Sequence, residues 1–395
     1  MRTGQQVCQH RSRLNRTGQR LREGKLTIGF IGGSITDGRP RHNWPEPVTA
    51  WMVDRFKGVR ICVENAAIGA TGSDLAVLRA KRDLLDRGCD LIFVEYAVND
   101  NDLPTERRMA TREGLIRKLL AGESAKGEGK QTMDEPVRDI VLVHTICQKM
   151  YEGVLSGQIP ASVAELEQLA DRYRLNSVWM GLHAFEEVQR GMMSWEDWLP
   201  DGLHPTLRGS YSYAQSVIAF LEQQLGNGFE SAHINEGRDS IAVNSIPFAE
   251  VKHELPEPLC ARHWQDVSLL PLNEVRLEGH WVTKRWLYYE WFDQVLETST
   301  MGAKLHFQFT GRGAVLAFDF GKSSAEFRYR FDGGEWMEEQ RDRPDWAGKD
   351  GWLRLSILAE DLPMGEHLCE LEVIRSHDSA SWGGNFRLGL IGIIR

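Results

Sequence analysis

The stretch Lys25-Leu26-Thr27-Ile28-Gly29-Phe30-Ile31-Gly32-Gly33-Ser34 holds an apolar run, Leu26–Ile31, stopped by a glycine pair. It reads as a buried strand that ends in a tight turn. Downstream, apolar residues at helical spacing over Trp44–Phe56 predict a helix, and Arg60–Val63 a short strand. Asp74–Leu85 reads as helical, Leu91–Glu95 as a second buried strand, Thr105–Leu120 as a helix and Asp139–Thr145 as a further strand. Helices at Ala161–Tyr173 and Tyr211–Leu225 close the region. Strands alternating with helices indicate a parallel sheet covered on both faces.

Upstream of this run, residues 1–24 carry Arg2, Arg11, Arg13, Arg16, Arg20 and Arg22 against one acid, Glu23. They read as a basic extension, solvated or docked, with contact to an acidic partner as the alternative. They contain no apolar core of a secretory signal. Beyond Gly228 the pattern changes. Residues 229–262 read as a linker, with prolines and acids interleaved among apolar residues over Glu250–Pro258; Gly122–Gly129 reads as a flexible loop. From 263 the chain alternates with period two, as in Leu305/Phe307/Phe309, Leu316/Phe318/Phe320, Phe327/Tyr329/Phe331, Leu353/Leu355/Ile357, Leu371/Val373 and Phe386/Leu388/Leu390. Short alternating strands with turn signals predict a β-sandwich or jelly roll over 263–395. Eight of the thirteen tryptophans lie there, at 264, 281, 286, 291, 336, 346, 352 and 382.

A length of 395 residues agrees with two domains rather than one. The apolar share of 42% and charged share of 26% exclude a fibrous or wholly disordered chain. No apolar run approaches the ~20 residues that cross a bilayer, so no membrane association is expected. The net charge of −9, from 47 basic and 56 acidic residues, argues against a nucleic-acid partner. Six cysteines, at 8, 62, 89, 147, 260 and 369, show no CxxC spacing. That pattern makes neither a disulfide framework nor a zinc site and fits a cytoplasmic protein.

Four segments of the α/β region can carry chemistry. Ser34 follows directly on a strand end, where open α/β sheets bind ligands, so it is a candidate nucleophile; the alternative is a Gly-Gly-Ser turn with no chemistry. The segment is not a G-x-S-x-G elbow, because position 36 is Thr, and it has no phosphate-loop spacing. In Asp201-Gly202-Leu203-His204 the carboxylate can fold back onto the imidazole Nδ1–H and fix its tautomer, or simply cap a helix entry. Asn99, in Glu95-Tyr96-Ala97-Val98-Asn99-Asp100, can donate an amide to a developing oxyanion, or close the strand through an Asx-turn. Asn65–Ser73 is a small-residue loop that either offers backbone N–H donors or is a tight connection.

Taken in order, these segments resemble the four blocks of the SGNH (GDSL-type) hydrolase superfamily, in the branch whose first block reads GGSIT, here Gly32-Gly33-Ser34-Ile35-Thr36. The resemblance covers residues 25–228. It implies a flavodoxin-like three-layer α/β/α sandwich followed by a smaller all-β domain. It implies Ser34 as nucleophile, His204 as general base and then acid, and Asp201 as the orienting carboxylate. The oxyanion hole would combine the Ser34 N–H, a second-block N–H and the Asn99 amide. Where the family carries the oxyanion glycine this chain has Ala70. Its N–H serves if the local φ is negative, and Gly69 is the alternative if φ must be positive. No metal and no organic cofactor is called for.

A β-rich module beside such a hydrolase resembles carbohydrate esterases, which implies acetyl esters of an oligosaccharide or small glycoside as substrate. Tryptophans in the β domain would then stack on sugar faces, or else fill its core. A general short-chain esterase, lipase or thioesterase, an acyltransferase with the same triad, and a non-catalytic glycan-binding protein are the rival readings. A homo-oligomer is left open.

Overall fold

The computed structural model describes residues 6–37, 43–121, 138–229, 255–289, 291–339, 344–348, 351–375 and 384–395. Gly122–Gly129, Trp382, Arg2 and most of the 229–262 linker therefore lie outside the described residues. The chain divides into two compact units. One runs through Ser73 and resumes at Lys81–Ala261; the other takes Asp74–Ala80 and Arg262–Arg395.

In chain order the α/β region forms β1 (Cys8–Gln9), α1 (Asn15–Arg22), β2 (Lys25–Gly32), α2 (Ser34–Asp37), α3 (Pro45–Arg55), β3 (Arg60–Asn65) and α4 (Ser73–Ala80). It continues with β4 (Leu91–Glu95), α5 (Thr105–Ala121), β5 (Asp139–Val143), α6 (Gln148–Leu155), α7 (Ala161–Tyr173), β6 (Asn176–Val178), α8 (Met180–Gln189), α9 (Trp195–Trp198) and α10 (Leu207–Phe229). The sheet runs β1-β6-β5-β4-β2-β3, parallel throughout except for β1, which pairs antiparallel with β6. Apart from β1 this is the 2-1-3-4-5 order of flavodoxin-like folds. Helices α3, α8 and α10 pack together, as do α5 and α7, giving helical layers to the sheet. β4 and β5 are buried along their whole length, and β2 from Leu26 onward. Such strands need helices on both faces. The strand order reverses between β2 and β4, so their carboxyl ends open the crevice where this fold places its ligands.

The basic N-terminal segment is turned inward. Arg11 pairs with Glu167 at 2.5 Å and Asp171 at 2.6 Å, Arg16 and Arg20 pair with Asp90, and Thr17 donates twice to Asp139. Residues beyond the undescribed part of the linker also rest on this unit. Glu113 accepts the Leu259 and Cys260 N–H groups, and Arg117 donates to the Pro256 carbonyl.

The second unit contains β7 (Ser268–Leu270), β8 (Arg276–Glu278), β9 (Val282–Lys284), β10 (Val295–Thr298), β11 (Lys304–Gly311), β12 (Gly313–Asp319), β13 (Glu326–Phe331), β14 (Met337–Glu338), β15 (Leu353–Ala359), β16 (Gly365–Ile374) and β17 (Phe386–Ile394). They make two antiparallel sheets, β15-β12-β17-β10-β9 with β7 also on β17, and β14-β13-β16-β11-β8. Most of the alternating apolar residues of the sequence face inward as a single core, including Leu305, Phe307, Leu316, Phe318, Phe327 and Phe386; Leu353, Leu355 and Ile357 are not part of it, and β15 contributes Leu358 instead. β12 and β17 are buried on both faces; on the face away from this core Val315 and Ala317 are apolar, while Asp319 and Arg387 are buried as an ion pair at 2.9 Å. Of the tryptophans here, Trp264 and Trp286 are buried, whereas Trp346 is 56% exposed and meets the half-buried Trp352 edge-on. Among the described residues no helix is long and apolar enough to cross a membrane.

Candidate active site

Ser34, Ala70 and Asn99 follow the carboxyl ends of β2, β3 and β4, and the Asp201–His204 turn precedes α10. The structure brings the serine and the histidine together across 170 positions of sequence. Ser34 Oγ lies 2.9 Å from His204 Nε2. His204 Nδ1 lies 2.8 Å from Asp201 Oδ2, while Asp201 Oδ1 accepts the Leu203 and His204 backbone N–H groups at 2.8 and 2.7 Å. One carboxylate thus closes the turn with one oxygen and fixes the imidazole with the other. With the Nδ1 proton held by Asp201, Nε2 is the free acceptor for the serine hydroxyl. Partial burial pulls the Asp201 carboxyl upward, but the hydrogen bonds from His204 and Leu203 outweigh it and hold it below the ordinary carboxylate range. Asp201 therefore stays ionised when the ring gains a proton.

Gly202 shapes this turn. Its φ of +76° is left-handed, and a Cβ there would stand 2.5 Å from Gln148 Oε1. Its carbonyl accepts the Gln148 N–H at 2.7 Å, which ties the histidine turn to the start of α6.

The three donors expected of the oxyanion hole, the Ser34 N–H, the Ala70 N–H and the Asn99 side-chain amide, have no acceptor among the described residues. Asn99 lies against the Ser34 turn so closely that a Cβ on Gly33 would stand 1.9 Å from its Oδ1. The Asx-turn alternative for Asn99 is not the observed arrangement. Backbone bonds from Asp100 to Tyr96 and from Asn101 to Val98 close that turn instead. Its flanks are fixed by the buried Arg112, which donates to Asp100 Oδ2 at 2.8 Å and to the Tyr96 carbonyl at 2.9 Å. Asp100 Oδ1 in turn accepts the Ser73 N–H.

Ala70 has φ +60°, the left-handed conformation and not the negative φ expected; its N–H nevertheless has no acceptor among the described residues, so the positive φ does not remove it as a donor. The alternative, Gly69, has already committed its N–H to Asp37 Oδ2 at 2.9 Å. A Cβ on Gly69 would stand 3.5 Å from the Ser34 Cβ, so this loop lies directly over the serine. The left-handed alanine costs about 1 kcal/mol, which glycine would not pay. Ala70→Gly is expected to raise unfolding free energy by up to about 1 kcal/mol in denaturant melts with kcat little changed, since the N–H is kept. A destabilised variant would show that the loop carries no such strain.

Asp37, Asp100, Arg112 and Glu95 support the site without having been singled out in the sequence. The one signal that pointed to them is positional: Glu95 ends the apolar strand Leu-Ile-Phe-Val-Glu, and a carboxylate in such a place is buried by its neighbours. Among the described residues no cluster of three His, Cys, Asp or Glu side chains is arranged to hold a metal ion.

No family model and no curated protein matches this sequence. Solved structures do. The chain is similar over both units to a two-domain esterase active on acetylated mannans, co-crystallised with mannopentaose. The TM-score is 0.72 at 22% identity, covering 95% of this chain and 92% of that one. A second crystal structure of a two-domain esterase active on acetylated mannans gives the same score and identity over 96% and 95%. An acetylxylan esterase from Geobacillus stearothermophilus, a catalytic mutant, aligns with 51% of this chain and 94% of its own at 17% identity and a TM-score of 0.40. The chain thus shares the two-part fold of the mannan esterase, an α/β unit followed by a β-sandwich.

Proposed function

We propose that this protein is a serine esterase that removes short acyl groups, acetyl above all, from carbohydrate esters. The observation that carries the reading is the continuous hydrogen-bond chain Ser34 Oγ–His204–Asp201 beside three donors without acceptors. His204 Nε2 takes the hydroxyl proton as Ser34 Oγ attacks the ester carbonyl, and Asp201 stabilises the imidazolium that forms. The carbonyl oxygen becomes an oxyanion and accepts hydrogen bonds from the Ser34 N–H, the Ala70 N–H and the Asn99 amide. Collapse expels the sugar alkoxide, which leaves as an alcohol with the proton from His204, and the acyl group stays on Ser34. A water molecule, deprotonated by His204, repeats the sequence and releases the carboxylic acid. No step in this sequence requires a metal ion or an organic cofactor.

The carbohydrate part of the reading is supported by the fold shared with an esterase active on acetylated mannans, and by the exposed Trp346 in the β unit. An oligosaccharide ester is accordingly the proposed substrate. A fluorophosphonate probe should label the wild-type protein and leave Ser34→Ala unlabelled. A panel of acetylated oligosaccharides set against aryl esters of increasing chain length then tests the specificity. Acetyl esters are expected to exceed octanoyl esters by about tenfold or more in kcat/KM, a discrimination of only ~1.4 kcal/mol. A profile that stays flat or rises with chain length would favour a lipase instead.

A further inference from the structure

Glu95 is the last residue of β4, sits opposite Gly32 of β2 and is fully buried. Three donors converge on it. Thr36 Oγ1 lies 3.1 Å from its Oε2, Thr145 Oγ1 lies 2.7 Å from its Oε1, and the Gly33 N–H also donates to the carboxylate. Thr36 Oγ1 accepts from Trp44 Nε1 at 3.0 Å, so its own proton is directed at Glu95. No lysine or arginine is paired with this carboxylate among the described residues. Burying a carboxylate with hydrogen bonds but no counter-charge is costly, and a joint that only held strands together would not need one.

The donors belong to the two halves of the site. Gly33 and Thr36 flank Ser34. Thr145 follows β5 and begins the segment that reaches Gln148, whose N–H holds the Gly202 carbonyl of the histidine turn. We propose that Glu95 is a positioning residue whose carboxylate ties the Ser34 turn to the segment supporting the Asp201–His204 turn, and so sets the approach of Ser34 Oγ to His204 Nε2. The effect on turnover rests on the esterase reading above; the effect on the imidazole does not.

Burial pushes the Glu95 carboxyl up to about 7, against the lowering effect of the Thr145, Thr36 and Gly33 hydrogen bonds, and the charge of Asp100 adds to the rise. The charged or titratable groups that face it are Asp100 after β4 and the Tyr213 hydroxyl on α10, which feels its charge; Thr36, Trp44 and Thr145 are neutral. The tie is complete when the carboxylate is ionised and loosens as pH falls through its folded value.

The test is Glu95→Gln in the full chain, which keeps the shape but faces an amide NH₂ toward donors. Expected are a kcat lower by about 10²-fold with KM within about twofold, and a ¹⁵N signal of His204 Nε2 moved toward that of Ser34→Ala, in which the serine bond is missing. A wild-type imidazole signal with kcat within about threefold of wild type would overturn the proposal. Should that variant not fold, Thr145→Val removes one donor at nearly constant shape. The weakened carboxylate then titrates higher, and the acid limb of kcat moves to higher pH; a limb superimposed on that of the wild type overturns the positioning role. A wild-type protein that hydrolyses no ester, together with a shifted imidazole signal in Glu95→Gln, would refute the esterase reading and leave the positioning role standing.

Discussion

Ser34→Ala is expected to lower kcat for ester hydrolysis by roughly 10⁴–10⁶-fold, the loss that follows when a serine nucleophile is removed from an intact triad. The serine hydroxyl touches His204 Nε2, and the side chain is only half-buried at the mouth of its turn. Its removal takes one hydrogen bond from a solvent-reached site and leaves β2, Gly33 and the Glu95 bonds untouched. Melting should therefore stay within about 0.5 kcal/mol of wild type. Steady-state kinetics and a denaturant melt on the same preparation check both halves. A variant that keeps more than roughly a hundredth of wild-type kcat would remove Ser34 from the nucleophile's role.

The second large effect is expected at Asn99. Its amide is without a protein acceptor among the described residues and lies against the Ser34 turn; on the proposed mechanism its hydrogen bond forms when the oxyanion develops. Asn99→Ala is expected to lower kcat by ~10²–10³, or ~2.7–4 kcal/mol of transition-state stabilisation, with KM nearly unchanged. A purely architectural asparagine would behave in the opposite way, costing about 1 kcal/mol of stability and sparing kcat. The turn around Asn99 is closed by backbone bonds and braced by Arg112 and Asp100, so stability should scarcely change. A full-speed Asn99→Ala protein with a lowered melting midpoint would reverse this assignment.

The two-part architecture was legible because its signals are local. The apolar run before Gly32-Gly33, the buried strand at Leu91–Glu95 and the period-two alternation after 263 all lie where strands form. The strand Asn176–Val178 escaped notice because three residues, two of them polar, carry no periodicity; they are strand because Val141–Val143 offers them a parallel partner. The pair Cys8–Gln9 is strand for the same reason, with Ser177 and Val178 opposite. Helices α6 and α8 begin after Cys147 and Trp179 without a side-chain cap, so no capping residue announces them in the sequence. Of the candidate site, Ser34, Asp201, His204 and Asn99 stood out as polar residues at strand ends or in a D-x-x-H spacing, and the fold brings them into one place. What could not be read was their support. That Gly69 spends its N–H on Asp37, that Ala70 is left-handed, and that Thr36, Thr145 and Gly33 share Glu95 are all facts of three-dimensional approach between distant segments.

The inward-facing N-terminal segment has a consequence for the order in which the molecule is made. Arg11 bonds to the side chains of Glu167, Asp171 and Ser177 and to the Leu175 carbonyl, and Cys8–Gln9 waits on Ser177–Val178 for its ladder. On a ribosome adding roughly 5–20 residues per second, those partners emerge on the order of ten seconds or more after the arm itself. During that interval β2, β3 and β4 can pair among themselves and Arg16 and Arg20 can meet Asp90, while Arg11 has neither Glu167 nor Asp171 and Thr17 lacks Asp139. The stretch from Cys8 to Arg11 is thus among the last parts of the unit to be locked, and its docking marks completion of the sheet edge at β6.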